Sequence, residues 1–388
     1  MLNEPAVLQS WPRLIEPSAP QRGDTRVDPA AGHAQKRPGL RRRKRLNLAL
    51  QGGGAHGAFT WGVIDALLEH TDVEFDGVSG TSAGAVNAVA LAAGLMDHGR
   101  DGARETLHTI WNAISRAGAP AMHPTSPLAY FPAPSIADTF VRLGLNHLGS
   151  AWSPYDLNPL NINPLRDILT DHIDFDKLRR LSPVKLFIAA TEVSSGAARI
   201  FRTQDISVDA VLASACLPKL FQAIEIDGDS YWDGGFSANP DLISLISETR
   251  ANDTLLTQII PDRDPDLPTS TEAIAANIAR LSFSQPLRSQ VERIEHYRQI
   301  PLRFGLAARR LGKHRMHLID GSPHTLKLNA ATKTRPDWRM ITKLREQGYA
   351  MAASWSDDCF GSVGKKATVD LYAKYFADKS SFDQGTDT

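Results

Sequence analysis

The chain is poor in cysteine, has no long apolar run and carries no net charge, and each deficit removes a class of protein. Its two cysteines, Cys216 and Cys359, make no CxxC pair and no zinc-ligand spacing. That excludes a disulfide-stapled miniprotein and a zinc module, and it fits a reduced, cytoplasmic setting. No run of 18 or more apolar residues occurs, so no membrane-spanning helix is expected. The longest weakly polar stretch, 85–96, is alanine-rich and interrupted by Asn87 and Gly94. The first residues, with Glu4 and Pro5, lack the charged-then-apolar order of a secretory leader. Lys+Arg and Asp+Glu both total 43, so the overall charge names no partner, and nothing points to nucleic acid. No internal repeat is present. What remains is 388 residues with 42% hydrophobic and 22% charged content, ordinary for a folded protein.

The neutral total hides an asymmetry. Residues 1–45 hold ten Lys/Arg against four Asp/Glu, with six prolines and three glycines, and end in Arg41-Arg42-Arg43-Lys44-Arg45. This composition has little to bury and reads as a disordered basic lead-in. The basic run is a solvated linker on the plain reading and a tether to anionic lipid, hence peripheral membrane contact, on the sharper one. Residues 46–247 alternate strand and helix patterns. Leu46–Gln51, Phe75–Ser79, Val184–Thr191 and Arg199–Thr203 predict strands. Ala58–His70, with Phe59, Val63, Ala66 and Leu67 on one stripe, Ala85–Leu95 and Ser207–Ala215 predict helices. Asp227-Gly228-Asp229 predicts a hairpin turn between Ile224–Ile226 and Ser230–Trp232. Such alternation implies an α/β fold with a mainly parallel sheet. Residues 118–164 are rich in proline and aromatics, Tyr130 and Phe131 among them, and read as a segment that wraps the surface or covers a cleft, with 120–155 the candidate lining or cap of a substrate groove. Residues 248–388 predict a mostly helical extension, with helices over 271–281, 287–299 and 335–354 and one strand at 316–319.

Three clusters carry chemistry. Gly80-Thr81-Ser82-Ala83-Gly84 is G-x-S-x-G between a strand and a helix, the context of a nucleophile elbow. Its serine hydroxyl would stand at a helix N-terminus, where backbone N–H groups favour negative charge. The cluster Gly52-Gly53-Gly54-Ala55-His56-Gly57 has two readings. Gly52, Gly54 and Gly57 satisfy the dinucleotide fingerprint, yet the acidic residue wanted at the end of the second strand is missing. The alternative is a row of unhindered amides facing a developing oxyanion. Asp233-Gly234-Gly235 follows a strand and offers a carboxylate base with room for a close backbone. Of twelve histidines none sits in a triad motif, although His317 and His324 stand in the order of a Ser-acid-His hydrolase. Asp171–Asp176 lacks metal-ligand spacing, so no metal and no cofactor is expected. Glu192 and Asp209 read as structural, and Cys216 as a buried small apolar residue.

Together, Gly52–Gly57, Gly80–Gly84 and Asp233–Gly235, with Ser153-Pro154-Tyr155 and 158–165, resemble the patatin-like phospholipase family over about Leu46 to Leu245. The residues after 250 look like the helical extension of one bacterial branch. The resemblance implies a three-layer α/β/α sandwich and a lipid acyl hydrolase acting on phospholipid or another acyl ester. It implies Ser82 as nucleophile, Asp233 as general base, and Gly52, Gly53 and Gly54 as oxyanion donors, with His56, Gly57, Gly80, Gly84, Gly234 and Gly235 supporting the motifs. A non-catalytic lipid-binding protein that keeps the fold is the alternative. Many members carry Arg where this chain has His56, so a pH dependence near 6–7 is expected from that imidazole.

Overall fold

The computed structural model describes residues 43–118, 153–299 and 305–377, apart from 327, 329 and 335. The lead-in before residue 43 and the stretch 119–152, with Tyr130 and Phe131, lie outside the described residues. β1 (Lys44–Leu50) starts within the basic run, and its last five residues are buried. It is followed by β2 (Val73–Thr81), β3 (Lys185–Glu192), β4 (Ala198–Arg202), β5 (Ile224–Ile226), β6 (Asp229–Asp233), β7 (Asp253–Gln258) and β8 (Arg315–Asp320). The strand order is β5-β6-β3-β2-β1-β7-β8, with β4 paired to β3. From β3 to β8 the neighbours run parallel, while β4, β5 and β6 add antiparallel pairs at the β3 side.

Side-chain parity sorts the core into two layers, because successive strand residues face opposite sides. Leu46, Leu48 and Leu50 of β1, Leu186 and Ile188 of β3, and Leu255 of β7 enter one apolar cluster. Ala49, Phe187 and Leu256 enter the other. The first layer is covered by α1 (Ala58–Leu67), α2 (Ala83–Gly118), α3 (Pro164–His172) and α4 (Val208–Ser214). The second is covered by α5 (Leu242–Glu248) and α6 (Thr271–Gln299). Helices on both faces of a mixed sheet make the α/β/α sandwich, and both faces of a mainly parallel sheet must be covered in this way.

Several elements differ from their sequence patterns. Every residue of α1 is buried, not one stripe. The outward side, with Trp61 and Asp65, is covered by α7 (Trp338–Cys359), whose Arg345 pairs with Asp65. α2 runs far past residue 95, through a break at His98 and Gly99. The two helices expected at 271–281 and 287–299 are one, continuing through Pro286. β7 was not legible as a strand. It lies between β1 and β8, so the C-terminal region, helical for most of its length, also completes the sheet.

Candidate active site

The register of three strands brings the serine and the carboxylate together. Thr81 at the end of β2 pairs with Ala189 of β3, and Ala190, one step on, pairs with Asp233 of β6. Ser82 and Asp233 therefore leave the sheet at the same edge, flanking Ala190. Neither is open to solvent: Ser82 is 8% exposed and Asp233 0%.

Ser82 has φ 55, a left-handed conformation that L-residues other than Asn and Asp rarely hold. Local bonds impose it. The Ser82 amide donates to Ser214 Oγ at 2.9 Å, and its carbonyl accepts the first turn of α2 from Ala85 at 2.9 Å and Val86 at 3.1 Å. The sharp turn needs the two flanking glycines for space. A Cβ on Gly80 would lie 2.3 Å from the Gly84 carbonyl oxygen, and one on Gly84 would lie 2.2 Å from that of Leu50. The serine thus sits where the N-terminal dipole of a long helix favours an anion.

Asp233 is fixed through its backbone and one carboxylate oxygen. Its amide donates to the Cys216 carbonyl at 2.8 Å, and its carbonyl accepts the Thr191 hydroxyl at 2.8 Å. Oδ1 accepts the Gly235 amide at 2.7 Å. Oδ2 is buried and meets no full hydrogen-bond geometry among the described residues. The Ser82 hydroxyl is close enough to act on the carboxyl. Burial pushes the Asp233 pKa up to about 7, opposed by the Gly235 amide and by that hydroxyl. Cys216 behind it is inert: burial first, and Asp233 second, push its thiol up to about 12.

The glycine loop lies against the elbow. A Cβ on Gly52 would stand 2.8 Å from the Ser82 Cβ. The Gly52 amide is already taken, since it donates to Asn239 Oδ1 at 2.7 Å. Asn239 in turn donates to the Phe283 carbonyl at 3.1 Å, so this buried amide ties the loop to α6. The Gly53 and Gly54 amides donate to nothing among the described residues. Gly54 has φ 60, and its Cα hydrogen faces the Lys333 carbonyl oxygen, which a Cβ would approach to 2.3 Å. The Gly57 carbonyl accepts from Asn87 Nδ2 at 3.0 Å.

His56 does not titrate where it was expected to. It is buried, with Nε2 hydrogen-bonded to Thr332 Oγ1 at 2.8 Å. Burial, and then the nearby Lys333 ammonium, lower its pKa to about 4, so the ring is neutral at pH 6–7. A cavity of about 270 Å³ opens on Ser82 and is lined by Gly54, Trp111, Leu165, Leu217 and Lys333. Its walls are chiefly apolar. Leu165 belongs to the 158–165 segment; of the suggested cover at 120–155, residues 120–152 lie outside the described residues. His317 bonds Asp253 Oδ1 at 3.1 Å and Thr368 at 3.0 Å, and His324 stacks on Phe59 at 6.1 Å. Neither lines the cavity. Asp174 caps a helix by accepting the Lys177 amide at 2.8 Å. Among the described residues no group of three or more His, Cys, Asp or Glu could hold a metal ion, and no helix is long and apolar enough to cross a membrane. Sequence reading missed Ser214, Asn239 and Lys333. Asn239 lies six residues past Asp233, a proximity that flags it only once Asp233 is suspected; Lys333 had no local signal.

Comparison with known proteins gives a family. The model described as patatin-like phospholipase matches residues 48–246. Curated proteins give no match. Among solved structures, VipD from Legionella pneumophila is 16% identical, with 82% of this chain and 67% of that chain covered and a TM-score of 0.38. A chain of the SpcU–ExoU complex from the type III secretion system of Pseudomonas aeruginosa is 16% identical, at a TM-score of 0.28. There 80% of this chain is covered, and it spans 53% of that chain's length.

Proposed function

Because the chain belongs to the patatin-like phospholipase family, we propose that it is a serine lipid acyl hydrolase whose working pair is Ser82 and Asp233. Asp233 Oδ2 takes the hydroxyl proton while Ser82 Oγ bonds to the ester carbonyl carbon. The carbonyl oxygen becomes anionic against the amides of Gly53 and Gly54, which meet no acceptor among the described residues, and the N-terminal dipole of α2. The Gly52 amide is spent on Asn239, so Gly52 contributes close approach rather than a donor. The tetrahedral centre collapses, the C–O bond to the alcohol breaks, and Asp233 returns its proton to the leaving oxygen. Water, deprotonated by the same carboxylate, then attacks the acyl-serine, releases the fatty acid and restores the serine. The apolar cavity beside Ser82 suits the acyl chain. A general base must hold an open acceptor, and the observation that carries this reading is the buried Oδ2 of Asp233, without a full hydrogen bond among the described residues, beside the hydroxyl of a left-handed serine at a helix start.

Hydrolysis of a chromogenic short-chain ester, followed by mass spectrometry of fatty acids released from phospholipid, tests it. Ser82→Ala is expected to lower kcat/KM by at least about 10³-fold with an unchanged circular dichroism spectrum. Equally slow release by both proteins would overturn the enzyme and leave a lipid-binding role. The rate is expected to rise with pH through about 7, because the base form of Asp233 is the ionised one. His56→Gln, which can keep a bond to Thr332, is expected to leave the midpoint of that pH profile in place, since the imidazole is neutral throughout the range. A midpoint that moves by a full pH unit would return the titration to His56.

A further inference from the structure

Lys333 stands between two cavities. On one side it lines the space around Ser82, with its carbonyl oxygen packed on Gly54. On the other it lines a cavity of about 330 Å³ that also holds Asn277 and Arg280 of α6, and Thr269. Both cations are half-buried. Among the described residues Arg280 is aimed by neutral groups: Asn277 Oδ1 accepts at 2.7 Å and 3.0 Å, and the carbonyls of Pro261 and Asp262 accept at 3.5 Å and 3.2 Å. Neither cation makes an ion pair among the described residues. They are close enough for Arg280 to oppose the charge on Lys333, after burial has already done so. Two like charges held together and partly out of water are unfavourable on their own, and an anion between them reverses the sign. Asp264 and Asp266, both exposed, line the same cavity. A headgroup with an ammonium beyond its phosphate therefore suits the cavity better than one with a second anion.

We propose that the cavity between Lys333 and Arg280 is the headgroup subsite of the enzyme and holds the phosphodiester of a zwitterionic glycerophospholipid. This rests on the hydrolase reading above. The lipid lies across Lys333, its acyl chain in the apolar cavity, its ester carbonyl at Ser82 and its phosphate on the far side of the lysine. Lys333 lines both cavities and packs its carbonyl oxygen on Gly54, so one residue joins the space around Ser82 to the cavity that holds Arg280. Lys333 then selects substrate: it favours phospholipid over the neutral diacylglycerol with the same chains.

The test compares soluble dihexanoylphosphatidylcholine with dihexanoylglycerol, read as the ratio of kcat/KM. The ratio is expected to favour phospholipid, to fall at least about tenfold in Lys333→Gln and in Arg280→Gln, and to recover in Lys333→Arg, as charge-assisted contacts to phosphate require. An unchanged ratio, or equal loss on both substrates, overturns the subsite. Binding separates this from catalysis. In Ser82→Ala protein, titration with dihexanoylphosphatidylcholine is expected to weaken about tenfold when Lys333→Gln is added, with glycerophosphocholine competing and inorganic phosphate competing far less. Equal competition by inorganic phosphate would make this a free-anion site and overturn the lipid assignment. Charge-dependent binding in a protein that hydrolyses no ester would keep the subsite and sink the hydrolase.

Discussion

Asp233→Asn is expected to lower kcat at least about 10³-fold and, above pH 7, to raise the melting temperature. Asparagine keeps an oxygen for the Gly235 amide, so the turn after β6 survives. It has no basic oxygen, so on the proposed mechanism the Ser82 proton has no acceptor. The stability side follows from burial. The folded carboxyl titrates near 7, against 3.8 as the ordinary value. Between these values the native state holds a proton that the unfolded chain has lost, so stability falls as pH rises through the window. At about 1.4 kcal/mol for each tenfold in proton affinity, the ionised carboxylate costs the fold roughly 4 kcal/mol above pH 7. Asparagine leaves a buried amide N–H in the place of Oδ2, at about 1–3 kcal/mol. The first quantity is larger, so the variant gains at high pH. Near pH 4 the wild-type carboxyl is neutral and the gain vanishes. Melting curves of both proteins from pH 4 to 9 check this. A difference that does not change with pH would mean that the carboxylate is not desolvated.

That destabilising carboxylate also shows how far the sequence is informative. The strand–turn–helix around Ser82 is written locally, in the run Phe75–Ser79 of β2, the glycines at 80 and 84, and the small residues that follow. The same holds for the turn at Asp227, whose φ of 55 is left-handed as such a hairpin demands. What the sequence hides is set by distant partners. α1 reads as one-sided because α7, which covers its other side, begins about 270 positions on. β7 is invisible because a central parallel strand buries Asp253, Thr254, Thr257 and Gln258 as fully as its leucines, leaving no alternation to read. Asp253 is tolerated there because Arg315, His317 and Gly364 all bond to it. His56 looked like a switch, and only its burial against Thr332 and Lys333 removes that property. Lys333 and Asn239 are ordinary residues until the chain folds them onto the glycine loop.

The crossing of α1 and α7 gives the second large effect, and here the sign itself is diagnostic. Alanine is a better helix former than glycine by about 1 kcal/mol, so propensity alone predicts that Gly62→Ala stabilises. The packing predicts the reverse. A Cβ at Gly62 would lie 1.9 Å from the Arg345 carbonyl oxygen, and one at Gly348 would lie 2.0 Å from that of Phe59. Both obstacles are backbone atoms within helices, and no rotamer change removes them. The helices must part by more than an ångström, which loosens Trp61 and the pair between Asp65 and Arg345. Overpacking of this kind costs about 3 kcal/mol, more than propensity returns. Either alanine is therefore expected to lower the melting temperature by several degrees. Activity should fall with it, because α1 begins at Ala58, directly after the glycine loop, and its displacement carries Gly53 and Gly54 away from Ser82. Thermal melts and ester hydrolysis on each single variant check both halves. A Gly62→Ala protein more stable than wild type would mean that α7 does not press on α1, and the C-terminal region would then have no mechanical hold on the glycine loop.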